Sequence, residues 1–416
     1  MTESQSKKPS LLVAKGMFGA MRGAERDLIR NLPALTKYFD VTIATLESSK
    51  ELKQCCKENA IQLLKPEIPW QKPTGMFSTI WNTDLKNSTK AWKGISGLND
   101  VLTCTDAVHL ISGDGSFGLI QLVPKKTPFH LHMLEPHRGL YEDILHIGVD
   151  GKPKRNLAFT KFALTKARRD DQRVISAFIK RPKSRISGNS SYSAGRIQTV
   201  YSCEAGFIHP SVDFSEFPPE VTEEENQAWL EFDELPDPPW VTTIGLAGWV
   251  KGSWETVSML EGSGFGLVLV GGGIPEEVED LRKHANARGV KLWTPPRLSS
   301  LQLTALMRRS VAIVSMAHGE PFGLTPIEAF AVGTPALCVD EGGFRDTIED
   351  GVNGRLLPRD DPMAWQEALN EAQDAELKEK WAAAGKEKIT KLDLSPDAHA
   401  RRIFEVFQEL NNSYTN

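Results

Sequence analysis

The chain has 416 residues, 40% of them hydrophobic and 25% charged. That length exceeds one ordinary core and predicts two domains of about 200 residues each. A formal net charge of -5 argues against a protein built to coat nucleic acid. Five cysteines, two of them adjacent and none in a CxxC pair, fit neither a disulfide framework nor a zinc site, so a reducing cytoplasm is expected.

Residues 1–10 are polar, and the apolar run behind them, 11–14, is too short for a secretory h-region. No stretch approaches the roughly 18 apolar residues of a membrane span, so any membrane contact is expected to be peripheral. A strand is predicted at 11–13, then a loop with Gly16, Gly19 and Gly23. A helix with Leu28, Ile29, Leu32 and Leu35 follows, then a strand at 41–45. This strand, glycine loop, helix and strand open a doubly wound sheet. Further strands are predicted at 107–111, 129–131 and 186–187. Residues 150–185 read as helical and basic. From 152 to 185, twelve Lys and Arg stand against Asp170 and Asp171, with Phe159, Phe162 and Phe178 interleaved. That pattern suits a peripheral contact with an anionic membrane or lipid diphosphate, or a plain solvated helical face.

The proline- and acid-rich stretch 214–240 reads as a connector. The alternation then restarts, with strands at 241–246, 267–270, 290–292, 311–315 and 335–339. Helices at 276–288, 300–307 and 325–332 separate them, which implies a parallel sheet buried on both faces. The tail 396–410 has a helical pattern. The expected domains are therefore 1–213, joined by the C-terminal helix 396–416, and 241–395, with 214–240 between them.

The segment 315–335 carries the chemistry. It contains Glu320 and Glu328 separated by seven residues, with Phe322, Gly323, Leu324, Thr325 and Pro326 between them. Proline suits a first helical turn, because its missing N–H would have no intrahelical acceptor. The N–H groups of Phe322, Gly323, Leu324 and Thr325 would then point outward at the positive end of a helix dipole. That is an anion site suited to a diphosphate. Glu328, one turn inside, is placed to accept hydrogen bonds from a ribose, and Glu320 from sugar hydroxyls.

This Glu-x7-Glu pattern continues into Gly333-Thr-Pro-Ala336, Glu341-Gly-Gly-Phe-Arg-Asp346 and Asp350-Gly-Val-Asn-Gly-Arg355. In that order and spacing it resembles the signature of family 4 glycosyltransferases of the GT-B fold. Asn189-Ser-Ser-Tyr192 and Ile208-His-Pro-Ser-Val-Asp213 resemble segments that close the family's acceptor domain. The resemblance implies an α/β protein with two Rossmann-like parallel-sheet domains facing a central cleft. It implies retaining transfer of a hexose from a nucleoside-diphosphate sugar to a glycan, lipid-linked or small-molecule acceptor, for example in surface polysaccharide synthesis. No metal and no cofactor beyond the nucleotide-sugar co-substrate are implied, and the domains would close on the donor. An epimerase of the same fold and a non-catalytic nucleotide-sugar binder are the alternatives.

The family's residue roles carry over in part. Its basic diphosphate clamp falls on Gly245-Leu-Ala-Gly-Trp-Val-Lys251-Gly252, where Lys251 keeps the lysine and Leu246 replaces an arginine. Its Gly-Gly-Ala-Glu loop reads Arg22-Gly23-Ala24-Glu25 here. Gly23 keeps the close backbone approach to a phosphate, and Arg22, reaching across the cleft, would restore the charge missing at Leu246. The family histidine that contacts the transferred sugar falls on His132 by register, with His130 and His137 as competitors. His132 and Glu320 are thus the catalytic candidates. The triple glycine around Gly272 reads as a tight turn near the nucleotide. Arg297 would stand beside the base or in an exposed loop.

Overall fold

The computed structural model describes residues 7–412 other than 20, 22, 74–79, 233, 235 and 236. Arg22, an expected phosphate contact, lies outside the described residues. The chain divides into two compact units. The first takes Met1–Tyr141, Ala158–Ser211 and Ser395–Asn416; the second takes Glu142–Leu157 and Val212–Leu394.

In the first unit Ser10–Lys15 (β1), Asp40–Thr45 (β2), Gln62–Leu64 (β3), Ala107–Ile111 (β4), Phe129–Leu134 (β5), Ser184–Gly188 (β6) and Gly206–Phe207 (β7) form one sheet. The strands are all parallel, in the order β3-β2-β1-β4-β5-β6-β7. Both faces are covered, and strand alternation decides which residue goes where. Leu12 and Ala14 pack into a core with Trp92, Val174 and Phe178. Leu11 and Val13 point the other way, into a core with Leu28, Leu32 and Phe39. The C-terminal helix Pro396–Asn412 adds Ala400, Ile403 and Phe407 to that second core. Each fully buried Leu or Phe contributes about 1.5–3 kcal/mol, so this return of the chain holds the helix to the first unit.

The second unit repeats the plan. Trp240–Ile244 (β8), Gly266–Val270 (β9), Leu292–Trp293 (β10), Ile313–Ser315 (β11), Ala336–Val339 (β12) and Arg355–Leu357 (β13) form a parallel sheet ordered β10-β9-β8-β11-β12-β13. Val241, Leu267, Ile313, Ile327, Leu337 and Trp365 are buried in its core. Numbered within each unit, six strands of each sheet run 3-2-1-4-5-6. The order reverses between β1 and β4 and again between β8 and β11. Doubly wound sheets bind ligands outside the carboxyl ends of their strands at that reversal.

Two stretches differ from the sequence-based expectation. Residues 150–185 are not one helical basic face. Glu142–Leu157 belongs to the second unit; the first resumes at Ala158, within the helix Leu157–Ala163, and holds the helix Thr165–Ile179. Several of the cations are also structural. Arg181 donates to the carbonyls of Val123 (3.1 Å) and Pro124 (2.6 Å), Arg185 pairs with Glu409, and Lys154 pairs with Glu277 at 2.7 Å.

The stretch 214–240 is likewise more than a connector. It holds the helix Glu223–Leu230, capped by Thr222, whose side chain accepts from the Glu225 N–H. Its acids sit in the first turn, where the helix dipole favours negative charge. Glu225 is fully buried but paired, with Arg308 Nε at 2.9 Å and Arg309 at 3.4 Å. A buried charge is tolerated only when partnered in this way. Among the described residues no helix is long and apolar enough to cross a membrane.

Candidate active site

Four loops leave the carboxyl ends of β8, β11, β12 and β13 in the second unit, and glycines set how closely they approach. Gly252, after β8, has φ +66°, and a Cβ there would stand 2.0 Å from the Met316 carbonyl oxygen, just after β11. Only glycine allows that contact. Gly343, after β12, would place a Cβ 2.4 Å from the Phe322 Cα, and its N–H donates to the Glu320 carbonyl at 2.7 Å. The Glu341-Gly-Gly343 segment thereby clamps the Glu320–Phe322 backbone.

This packing brings Lys251 and Glu320 together. Lys251 ends a short 3-10 turn, Trp249–Lys251, and its Nζ lies 2.8 Å from Glu320 Oε2. Both side chains remain partly accessible, at 38% and 22%. Three residues after Glu320, Gly323 adopts φ +90° and starts the helix Leu324–Ala331 with no side-chain cap hydrogen bond. The first-turn amides of an α-helix have no intrahelical acceptor. Those of Leu324 and Thr325 therefore lack a capping side chain, and Pro326 contributes no N–H. Phe322 is buried and its side chain packs in the core of the second unit. Glu328 is half-buried on the first turn and a half of the helix.

A second layer of charge supports these groups, and sequence reasoning missed it. Arg359, just after β13, makes a two-pronged contact with Glu341 at 3.0 and 2.8 Å. It also donates to Glu255 (3.1 Å) and to the Met316 carbonyl (2.7 Å). Glu255 in turn meets His318 Nε2 at 2.8 Å, and the His318 ring stacks on Trp249 with centroids 5.0 Å apart. Arg359 thus ties the loops after β8, β11 and β12 to one planar cation, a geometry that lysine does not reproduce. Burial works to raise the Glu341 carboxyl, but its bonds to Arg359 outweigh this and hold it below the usual range.

Other expected residues are placed less centrally. The Gly271–Gly273 turn packs on the loop after β8: Ala247 N–H donates to the Gly272 carbonyl at 2.6 Å, and a Cβ on Gly271 would stand 2.7 Å from the Gly245 carbonyl oxygen. Leu246, at the family's arginine position, is 62% exposed. Arg297 is exposed in the bend before the helix Ser300–Arg309, and no hydrogen bond or ion pair links it to this site among the described residues.

In the first unit, Gly23 opens the helix Gly23–Leu35, and no atom lies within 4 Å of the position a Cβ would take. Packing within the unit gives no reason for glycine there. The reversal point between β1 and β4 is filled by protein. Lys15 is buried, pairs with Glu25 at 3.2 Å and donates to the Ser112 carbonyl at 3.1 Å.

His132, the expected contact to the transferred sugar, is buried. His132 is only 2% exposed, within a cluster of imidazoles from β4 (His109), β5 (His130 and His132) and the C-terminal helix (His399). His109 Nδ1 and His130 Nδ1 are 2.9 Å apart, and His399 Nδ1 lies 2.8 Å from the His209 carbonyl. Burial holds His109 and His132 well below the usual histidine range and His130 down to about 3, so these rings are neutral. His130 and His132 alternate on one strand and therefore share a sheet face. That face is interior, which the sequence alone does not declare. Of the three histidines at this strand, His137, two residues beyond the positive-φ Leu134 and its following Glu135, is the exposed one.

Comparison with known proteins bears on the second unit's sequence and on the fold. The profile of the family described as glycosyl transferases group 1 matches residues 250–388, which hold Lys251, Glu320, Glu328 and Arg359. A D-inositol 3-phosphate glycosyltransferase from Xylanimonas cellulosilytica is 32% identical over 182 residues, covering 41% of this chain and 44% of that protein. The chain spans about half the length of the curated relatives it matches. Among solved structures, a sucrose-phosphate synthase from Thermosynechococcus elongatus matches with a TM-score of 0.70 at 16% identity, covering 97% of this chain and 100% of that one. Anabaena HepE, solved with UDP and glucose, matches with a TM-score of 0.65 at 14% identity, covering 96% and 100%. Residues 250–388 of this chain are thus similar to the glycosyl transferases group 1, and over its whole length the chain has the two-sheet fold of the GT-B glycosyltransferases.

Proposed function

We propose that this chain is a retaining, metal-independent glycosyltransferase that moves a hexose from a nucleoside-diphosphate sugar to a hydroxyl acceptor. One observation carries the reading. At the strand-order reversal of the second sheet, a partly exposed lysine and an uncapped helix start flank a carboxylate. As the glycosidic bond breaks, negative charge builds on the leaving diphosphate. The Leu324 and Thr325 amides, held by the helix start, and Lys251, drawn from Glu320, would meet that charge and favour the transition state over the ground state. Lys251 would exchange its bond to Glu320 for one to phosphate. Glu320 would then be free to accept from the sugar hydroxyls, with Glu328 accepting from the ribose. On the acceptor side, His137 replaces His132 as the histidine with access to a sugar.

The named activities of the relatives support the reading. HepE was solved with UDP and glucose, and the Xylanimonas relative is named for a phosphorylated inositol. A UDP- or GDP-hexose donor and a phosphorylated polyol or glycan acceptor follow as the first to try. Thermal melting with UDP-, GDP- and ADP-hexoses tests the donor. We expect one of them to raise Tm by several degrees in the wild type and by almost nothing in Lys251→Ala. NMR of the product then gives the anomeric configuration. No shift with any nucleotide sugar defeats the proposal; an inverted product defeats retention alone. Exposed Leu246 favours one second reading, a binder without turnover, in which a donor shift occurs but no sugar moves to any acceptor.

A further inference from the structure

A groove of about 630 Å³ lies on the first unit between the helices Thr83–Lys93 and Thr165–Ile179, and the chemistry above does not use it. Its volume falls within the range of small-molecule sites. Lys86, Lys90 and Lys93 line it from one helix, at spacings of four and three that place them on one face. All three are exposed, and none forms an ion pair among the described residues. Over the seven residues from the first to the last, the row extends about 10 Å. Lys166 lines the groove from the opposite helix.

The acid in the lining does not balance these cations. Asp170 is buried and already holds Lys166 at 2.7 Å and the Asn82 amide at 3.0 Å. Four lysines against one carboxylate leave a net charge of +3 in the groove, on a chain whose formal net charge is -5. Like charges a helical turn apart disfavour a helix, so the row carries a small cost while it has no counter-ion. Trp81 lines the same groove and is 57% exposed. An indole offers a flat apolar face, and Thr83, Thr89 and Gln121 add hydroxyl and amide groups around it.

We propose that this groove binds a phosphorylated sugar or polyol, with its phosphate on the lysine row and its ring against Trp81. A bare anion would need the lysines alone, and an uncharged glycan would need the indole and hydroxyls alone. The groove joins both sets. The inference deepens the reading above by giving the phosphorylated acceptor a place on the first unit, and it rests on that reading only for the word acceptor. Binding is independent of turnover.

Calorimetric titration of the full chain with glucose 6-phosphate, mannose 6-phosphate and D-inositol 3-phosphate tests it. The controls are the unphosphorylated sugars and inorganic phosphate. We expect saturable binding of at least one phosphorylated probe, weakened tenfold or more both by the charge reversal K86E/K90E and by Trp81→Ala. The thermal shift caused by the nucleotide-sugar donor should be unchanged in both variants, which also shows that they fold. If the wild type shows no donor shift but still binds the sugar phosphate through these residues, the donor reading fails and this one stands. The proposal is overturned if no probe saturates. It is equally overturned if inorganic phosphate binds as well as every probe and Trp81→Ala changes nothing. Lysine-dependent sedimentation with phosphatidylglycerol vesicles, without any sugar-phosphate binding, would make the groove a membrane surface instead.

Discussion

The two sheets of this protein repeat one strand order, yet their reversal points are finished differently. In each unit a glycine after the first strand of the series lets its loop touch the loop after the fourth. A Cβ on Gly16 would stand 2.0 Å from the Asp114 carbonyl oxygen, and one on Gly252 would stand 2.0 Å from that of Met316. Beyond that shared closure the units diverge. The first fills its reversal point with a lysine and glutamate at 4% and 13% accessibility, and packs buried imidazoles nearby. The second leaves its lysine and glutamate reachable beside an uncapped helix start. Strand order supplies the crevice in both; the polarity and reach of a few loop side chains decide whether it is filled or left reachable.

The largest expected effect falls on the closed half. His109, His130 and His132 are neutral in the fold because burial depresses their affinity for protons, whereas the unfolded chain takes those protons up near pH 6.5. Below that pH the unfolded state binds more protons, so stability falls as pH falls from about 6.5 toward the value of about 3 for His130, and is flat above 6.5 on this account. Each histidine adds a slope of about 1.4 kcal/mol per pH unit, so three approach ~4 kcal/mol per unit. Chemical denaturation at pH 7.5, 6 and 5, with His130→Phe/His132→Phe as comparison, measures this. An unchanged slope in the variant would show that the cluster is not its source.

Next come the paired glycines. Gly252→Ala meets a backbone oxygen and also requires a left-handed conformation, for a cost of about 2–4 kcal/mol. It should lower Tm and remove the donor-induced shift. Gly16→Ala should lower Tm to a similar extent and leave the donor shift intact. If both substitutions abolish the shift, the distinction between a closed and an open reversal point is wrong.

The histidines separate the halves more finely. His137→Ala should reduce turnover about tenfold, the loss of roughly one hydrogen bond, with Tm unchanged. His132→Ala should lower Tm first. The reverse pattern would restore His132 as the contact with sugar. The smallest effect is a gain: Leu246→Arg should tighten donor binding about fivefold, below the ~1.5–3 kcal/mol of a fully formed charged hydrogen bond, because the side chain is exposed.

Much of the second unit was legible because its information is local. A Glu-x7-Glu spacing with proline in a first turn fixes where a helix starts and which residues flank it. That start falls at Leu324, one residue from the expected 325. Gly342 and Gly343 were visible as a motif, though their reason, a backbone-on-backbone contact with Glu320 and Phe322, was not. Arg359 went unseen because its partner Glu255 is 104 residues away in the chain. No spacing rule links such a pair. The acids of 223–225 misled for the converse reason: the composition suggested solvent, while Arg308 and Arg309 draw Glu225 into the interior.

The sequence by itself determined the periodicities, turns and helix starts, because these depend on neighbours a few residues apart. It therefore indicated a parallel, doubly wound sheet and a helix start within one residue of Leu324 in the second unit. Tertiary structure alone decided which polar residues would be buried and which reachable. His132 and His137 are five positions apart and chemically identical, and the packing of the first sheet against the helix Gly23–Leu35 and the C-terminal helix makes one of them core. Burial is set by residues distant in the chain, and a linear pattern of like side chains carries no record of what will cover them.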